Sequence, residues 1–164
     1  MAVNRLDHFA VAVRDPQPAA HLYGDLLGGR YVQGVSDWHG FGFIQFEYPN
    51  GSRLEVIFPG SDAEGFVPRF LAKHGEGMHH MTFVVDDLRA EVGRFQAAGH
   101  RVVDESYSDP HWQEAFVSPL TAHGTIIQLA QSDLDQAEQD LQWAERLEHI
   151  LEVAGRAGGR QQNG

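Results

Sequence analysis

A chain of 164 residues with 42% hydrophobic content can form one full-sized domain or two half-sized units sharing a core. It has no apolar run approaching the ~18 residues that would suggest a membrane span, and its start lacks a basic region, apolar stretch and cleavage site, so a soluble, cytoplasmic protein with no membrane partner is expected. The absence of cysteine excludes disulfide and thiolate chemistry, and a net charge of -11 without a basic stripe argues against a nucleic-acid partner.

Residues 5–13, RLDHFAVAV, read as a mostly buried strand because apolar and β-branched residues follow a polar start. A helix follows: Asp15 can cap it, Pro16 suits its first turn, Leu22, Tyr23 and Leu26 lie on its apolar stripe, and Gly28 and Gly29 end it. Three strands come next, at 30–35, 41–48 and 52–58, the last two joined by the turn residues PNG. A connector with a short helix over 66–75 leads to the same order again. MHHMTFVV is a strand, the segment 86–100 a helix with Leu88, Val92 and Phe95 on one face, and RVVDE, WQEAFVS and GTIIQLA are three more strands.

The expected fold is therefore α+β, with two βαβββ modules at about 5–60 and 76–131 in a single domain over 1–131. The periodic, acidic segment 132–155, with Leu134, Ala137, Leu141, Ala144, Leu147, Leu151 and Ala154 on one side, reads as a C-terminal helix. Residues 156–164 read as a flexible tail.

Setting LDHFAVAVRD on MHHMTFVVDD places His8 on His80 at an offset of 72, and setting RLEVIF on IIQLAQ places Glu55 on Gln128 at an offset of 73. Each module thus starts with a histidine and carries one polar residue inside its last strand. A lone carboxylate or amide in an apolar strand is costly unless bound to something. One divalent cation would satisfy His8, Glu55, His80 and Gln128 together, and Co, Ni, Mn, Zn or Fe suit two imidazoles with two oxygen ligands. The alternative is that the histidines are ordinary strand-end residues and that Glu55 and Gln128 face solvent. His79 lies on the opposite strand face from His80 by alternation, and the repeat selects His80. Glu47 and Glu114 lie on strands and could act as bases, although solvent exposure is the default for both. His123 lies in a loop close ahead of Gln128. Trp38, Phe43 and Trp112 read as core or cleft lining.

These residues resemble the vicinal oxygen chelate superfamily, which includes glyoxalase I, methylmalonyl-CoA epimerase, extradiol dioxygenases and bleomycin resistance proteins. The resemblance spans about residues 5–131, and GMHHMTFVVDDL with SPLTAHGTIIQLAQ looks most like the epimerase branch. It implies a cupped, incomplete eight-stranded barrel and a divalent metal held by His8, Glu55, His80 and Gln128. It also implies an enzyme that chelates vicinal oxygens of a small carbonyl or acyl-thioester substrate, suggested by the branch to be an acyl-CoA, and moves a proton through a metal-stabilised enolate. Glu55 would carry that proton, and a homodimer is the common assembly. The epimerase pattern has an amide at the Glu55 position and a carboxylate at the Gln128 position, so the two types are exchanged here. Its second base maps near Phe43, which cannot accept a proton; Glu114 or His123 would have to serve instead. A stereospecific isomerase or a lyase needs no second base and fits these residues more comfortably than a two-base epimerase; an extradiol-type Fe(II) dioxygenase and a non-catalytic binding or resistance protein are the competing readings.

Overall fold

The computed structural model describes residues 3–161, with side chains through residue 156. The first module runs β1 (Val3–Ala12), α1 (Pro16–Ala20), β2 (Arg30–Trp38), β3 (Phe41–Glu47) and β4 (Arg53–Pro59). After α2 (Phe66–His74) the second runs β5 (Gly77–Val85), α3 (Leu88–Ala97), β6 (Val102–Ser106), β7 (Gln113–Val117) and β8 (Ile126–Gln131). Both βαβββ runs appear in the expected order. The strands form one mixed, open sheet in the order β2-β3-β4-β1-β5-β8-β7-β6, which does not close into a barrel.

Local chemistry explains the element ends. The Asp15 carboxylate accepts from the Gln17 amide at 2.9 Å, and Pro16 occupies the first turn of α1, where its missing N–H costs nothing. The helix continues as a π-helical segment, His21–Leu26, and the chain turns at Gly28 with φ +74°, a left-handed conformation that favours glycine. Asp87 caps α3 by accepting from the Ala90 amide at 3.0 Å.

The chain divides into two compact units that do not follow the repeat: β1 up to Phe9 with His79–Gln136, and Ala10–Met78 with the segment from Ala137 onward. In the first, β5 pairs parallel with β8, and β6 and β7 continue antiparallel. Leu88 and Val92 of α3 pack on Val85, Ala115, Val117 and Leu129. In the second, β2, β3 and β4 are antiparallel. Ile44, Phe46, Val56 and Phe58 bury against α1 and against Ile150 of a C-terminal helix, while Phe43 and Ile57 pack on Val67 and Leu71 of α2. Full burial of each such side chain is worth roughly 1.5–3 kcal/mol.

The segment 132–155 is not one helix but two, α4 (Gln136–Gln142) and α5 (Leu147–Gln161). The break is made at the β2 edge, where the Gly34 amide donates to the Trp143 carbonyl at 2.7 Å and Gly34 bridges Ala144. The Trp143 ring packs on Trp38 and Phe43 at 6.2 and 6.1 Å between centroids. Satisfying an edge donor outweighs continuing the helix here. Accordingly, Leu141 is 78% exposed and the buried residue of α4 is Gln139; the apolar stripe holds only from Leu147 on. Asp140 makes a paired contact with the buried Arg53 guanidinium at 2.7 and 2.9 Å. The expected tail is helical as far as Gln161, and residues 162–164 lie outside the described residues. No helix among the described residues is long and apolar enough to cross a membrane.

A Cβ on Gly34 would lie 2.5 Å from the Phe43 carbonyl oxygen and 3.1 Å from Ile150 Cδ1. Gly34→Ala is therefore expected to lower the unfolding free energy by about 1–3 kcal/mol. Equilibrium urea unfolding checks this, and an unchanged midpoint would contradict the role given to this contact.

Candidate active site

Strand register builds a polar row inside the first unit. β5 and β8 run parallel with Thr82 opposite Gln128, and β7 sets Phe116 opposite Gln128 and Glu114 opposite Ala130. Thr82 is fully buried, and His8, His79, His80 and Gln128 are buried as well. The Thr82 hydroxyl lies 2.9 Å from His8 Nε2 and donates to Gln128 Oε1 at 2.5 Å. Gln128 Nε2 donates to Glu114 Oε2 at 2.6 Å, and Trp112 Nε1 donates to the same oxygen at 3.0 Å. The His8 and His80 rings meet edge to face, 5.6 Å apart.

Both histidines are gripped at Nδ1 by the residue before them. His8 Nδ1 lies 2.9 Å from Asp7 Oδ2, and His80 Nδ1 lies 2.8 Å from His79 Nδ1. Burial would raise the Asp7 carboxyl, but the hydrogen bond and charge of His8, together with Arg5, hold it down at about 2. His80 is pushed well below the usual histidine range, first by burial and then by the neighbouring His8 and His79, against a smaller opposing effect of Gln128. At neutral pH His80 is thus a neutral imidazole, the form that can offer a lone pair.

A hydroxyl has a single proton to donate, and Thr82 stands against both an imidazole nitrogen and an amide oxygen. Thr82 can donate to Gln128 Oε1 while accepting from a protonated His8 Nε2; if the only His8 proton is on Nδ1 toward Asp7, Nε2 keeps a lone pair that a cation can use. An imidazole nitrogen and an amide oxygen are ordinary ligands of a borderline divalent ion.

In the second unit β3 sets Gln45 opposite Glu55, and β2 sets Gln33 opposite Gln45. Gln33 Nε2 donates to Gln45 Oε1 at 2.7 Å, and Gln45 Nε2 donates to Glu55 Oε2 at 2.8 Å. All three are buried. The carboxylate of Glu55 is therefore held by an amide relay rather than turned to solvent.

The sequence-expected residues are placed as follows. His8, His80 and Gln128 come together in one unit, and Glu55 is buried in the other. Glu114 is half-buried rather than fully solvated, the default for a strand glutamate, and its carboxylate accepts from the Gln128 amide. Glu47 pairs with Arg30 and Arg53. His123 is exposed in a turn at φ +54°. Sequence pattern does not single out Thr82, Asp7 or Gln45. The one signal for Thr82 is its place two residues after His80, on the same strand face.

With this geometry in place, the sequence pattern of the Glyoxalase/Bleomycin resistance protein/Dioxygenase superfamily matches residues 7–116, and the chain belongs to that superfamily. Among its relatives is the ethylmalonyl-CoA/methylmalonyl-CoA epimerase of Cereibacter sphaeroides, 32% identical over 137 residues, covering 79% of this chain and 98% of that protein. The methylmalonyl-CoA epimerase of Mycobacterium tuberculosis superposes with a TM-score of 0.71 at 27% identity, over 83% of this chain and 93% of that one. A Streptomyces coelicolor methylmalonyl-CoA epimerase variant, solved in complex with 2-nitronate-propionyl-CoA, gives 0.69 at 25% identity over 81% and 100%. The epimerase-like appearance of the motifs is thus matched by epimerase relatives.

Thr82→Val would leave His8 Nε2 and Gln128 Oε1 without the hydroxyl between them. The expected cost is about 1–3 kcal/mol in the metal-free protein, from stranded buried polar atoms, with Thr82→Ser close to wild type. Equal unfolding midpoints for the valine variant and wild type would contradict the network.

Proposed function

We propose that this chain is a metal-dependent epimerase acting on a 2-alkylmalonyl-CoA or a similar acyl-CoA thioester. The observation that carries the reading is the row from buried His8, Thr82 and Gln128 to half-buried Glu114, which joins ligand-type atoms to a carboxylate able to move a proton. The epimerase relatives support the substrate class. No comparable observation favours the dioxygenase or binding-protein readings.

His8, Glu55 and His80 offer two imidazole nitrogens and a carboxylate oxygen, and Gln128 adds an amide oxygen, a set that suits Co, Ni, Mn, Zn or Fe. A divalent cation held by them would stabilise the negative charge that develops on a thioester oxygen as the α-carbon loses its proton. The residues do the rest. Asp7 and His79 hold the two rings, Gln45 holds Glu55, and Gln128 uses its nitrogen to hold Glu114 while its oxygen remains on the ligand side.

Inversion at a carbon α to a carbonyl needs a proton taken from one face and returned to the other, hence two groups that accept and donate protons. We assign these to Glu55 and Glu114. The register supports the pairing. Phe43 lies opposite Ile57, two places beyond Glu55, and Glu114 lies opposite Ala130, two places beyond Gln128. Glu114 therefore occupies in the second module the position that Phe43 occupies in the first. The resemblance calls for an amide ligand and a base in the first module and a carboxylate ligand in the second. This chain exchanges both features between its modules, so the missing base at Phe43 reappears as Glu114.

Incubating methylmalonyl-CoA in D2O with Co2+-supplemented protein tests the reading. Wild type is expected to interconvert the epimers and to introduce deuterium at the α-carbon. Glu114→Gln should lower epimerisation by about 10²–10⁴-fold while keeping bound metal and deuterium exchange from a single epimer. Full epimerisation by that variant, or no α-exchange by wild type on any 2-alkylmalonyl-CoA, would overturn the assignment.

A further inference from the structure

We propose that Asp7 and His79 are matched positioning residues, each fixing the proton of the histidine that follows it on Nδ1 so that Nε2 presents a lone pair. This rests on the reading of His8 and His80 as metal ligands and adds the groups that aim them. The repeat offset of 72 that places His8 on His80 also places Asp7 on His79, so the two grips occupy one position in the duplicated unit.

The geometry is the same in kind on both sides. Asp7 Oδ2 stands 2.9 Å from His8 Nδ1, and His79 Nδ1 stands 2.8 Å from His80 Nδ1. Consecutive strand residues project to opposite faces, and a neighbour would not ordinarily reach the working end of a ring. Nδ1 is the ring nitrogen nearer the backbone, which puts it within reach of the adjacent side chain at the edge between the faces. Asp7 is itself fixed, since Arg5 Nε donates to its other oxygen at 2.6 Å and Gln136 Nε2 approaches that oxygen at 3.4 Å.

The chemistry differs between the two. A carboxylate can only accept from a histidine N–H, so the Asp7 contact requires a proton on His8 Nδ1. Between two imidazole nitrogens one must donate and the other accept. His80 can ligate through Nε2 only if its own Nδ1 is the donor, which fixes His79 as the Nε2–H tautomer. An anionic acceptor draws more density into the ring than a neutral one, so His8 is the stronger ligand and the Asp7 contact matters more. Outer partners of this kind typically control metal affinity by about 10- to 100-fold.

The test uses the full chain in two states. In the metal-free protein at neutral pH, imidazole 15N shifts are expected to report a protonated Nδ1 on His8 and His80 and a protonated Nε2 on His79. Co2+ titration followed by its visible absorption is expected to show affinity falling about 10- to 100-fold in Asp7→Ala, and less in His79→Leu. Asp7→Asn and His79→Asn keep an acceptor oxygen near the same place and should recover part of each loss, a rescue that a general packing role would not give. Co2+ affinities equal to wild type in Asp7→Ala and His79→Leu, or an Nε2–H tautomer on His80, would overturn the proposal. Failure of the underlying metal reading looks different: wild type itself would take up no Co2+, while the tautomers would still decide the positioning roles.

Discussion

One hydroxyl proton organises the site. Thr82 sits between His8 Nε2 and Gln128 Oε1 because β5 and β8 run parallel in a register that sets residue 82 opposite residue 128. Any slip of one residue would send Gln128 to the other face of the sheet and separate it from both His8 and Glu114. The apolar packing of Val85, Leu88, Val92 and Leu129 therefore has a chemical consequence: it locks the register that brings a buried imidazole, hydroxyl and amide into line with a half-buried carboxylate. With the His8 proton on Nδ1, that line would present an imidazole lone pair and an amide oxygen, atoms of the kind a divalent cation takes.

Duplication explains why the arrangement is built from pairs. Each module contributes a histidine from its first strand, a gripping residue ahead of it and an oxygen donor inside its last strand. The identities differ between the copies: Asp7 corresponds to His79, Glu55 to Gln128, and Phe43 to Glu114. Those differences are not independent. The module with the carboxylate in its last strand has an aromatic ring on the strand beside it, and the module with the amide has a carboxylate there. The two proton-transfer groups of the proposed epimerase come one from each module, as they would in the exchanged arrangement.

Much of this arrangement is legible in the amino-acid sequence alone. Hydrophobic alternation and turn residues mark out the two βαβββ runs, and aligning them selects His8, His80, Glu55 and Gln128 without further help. Other parts depend on contacts that periodicity does not encode. The break between α4 and α5 comes from an edge amide at Gly34 seeking a carbonyl, a long-range demand invisible in the acidic, periodic pattern of residues 132–155. Glu114 reads as solvent-facing because a strand glutamate usually is, and only the pairing of β7 with β8 brings it to the Gln128 amide. The alternation rule sets His79 aside, because it describes where side chains point but not how far a neighbouring ring nitrogen can reach.

The central claim is that these buried groups bind one divalent ion. Elemental analysis of tag-free wild type beside His80→Ala, after exposure of both to Co, Ni, Mn, Zn and Fe(II), addresses it most directly. The account predicts close to one ion per wild-type chain and loss of that ion in a His80→Ala variant that retains its fold. A well-folded wild type that stays empty after exposure to all five ions would contradict it.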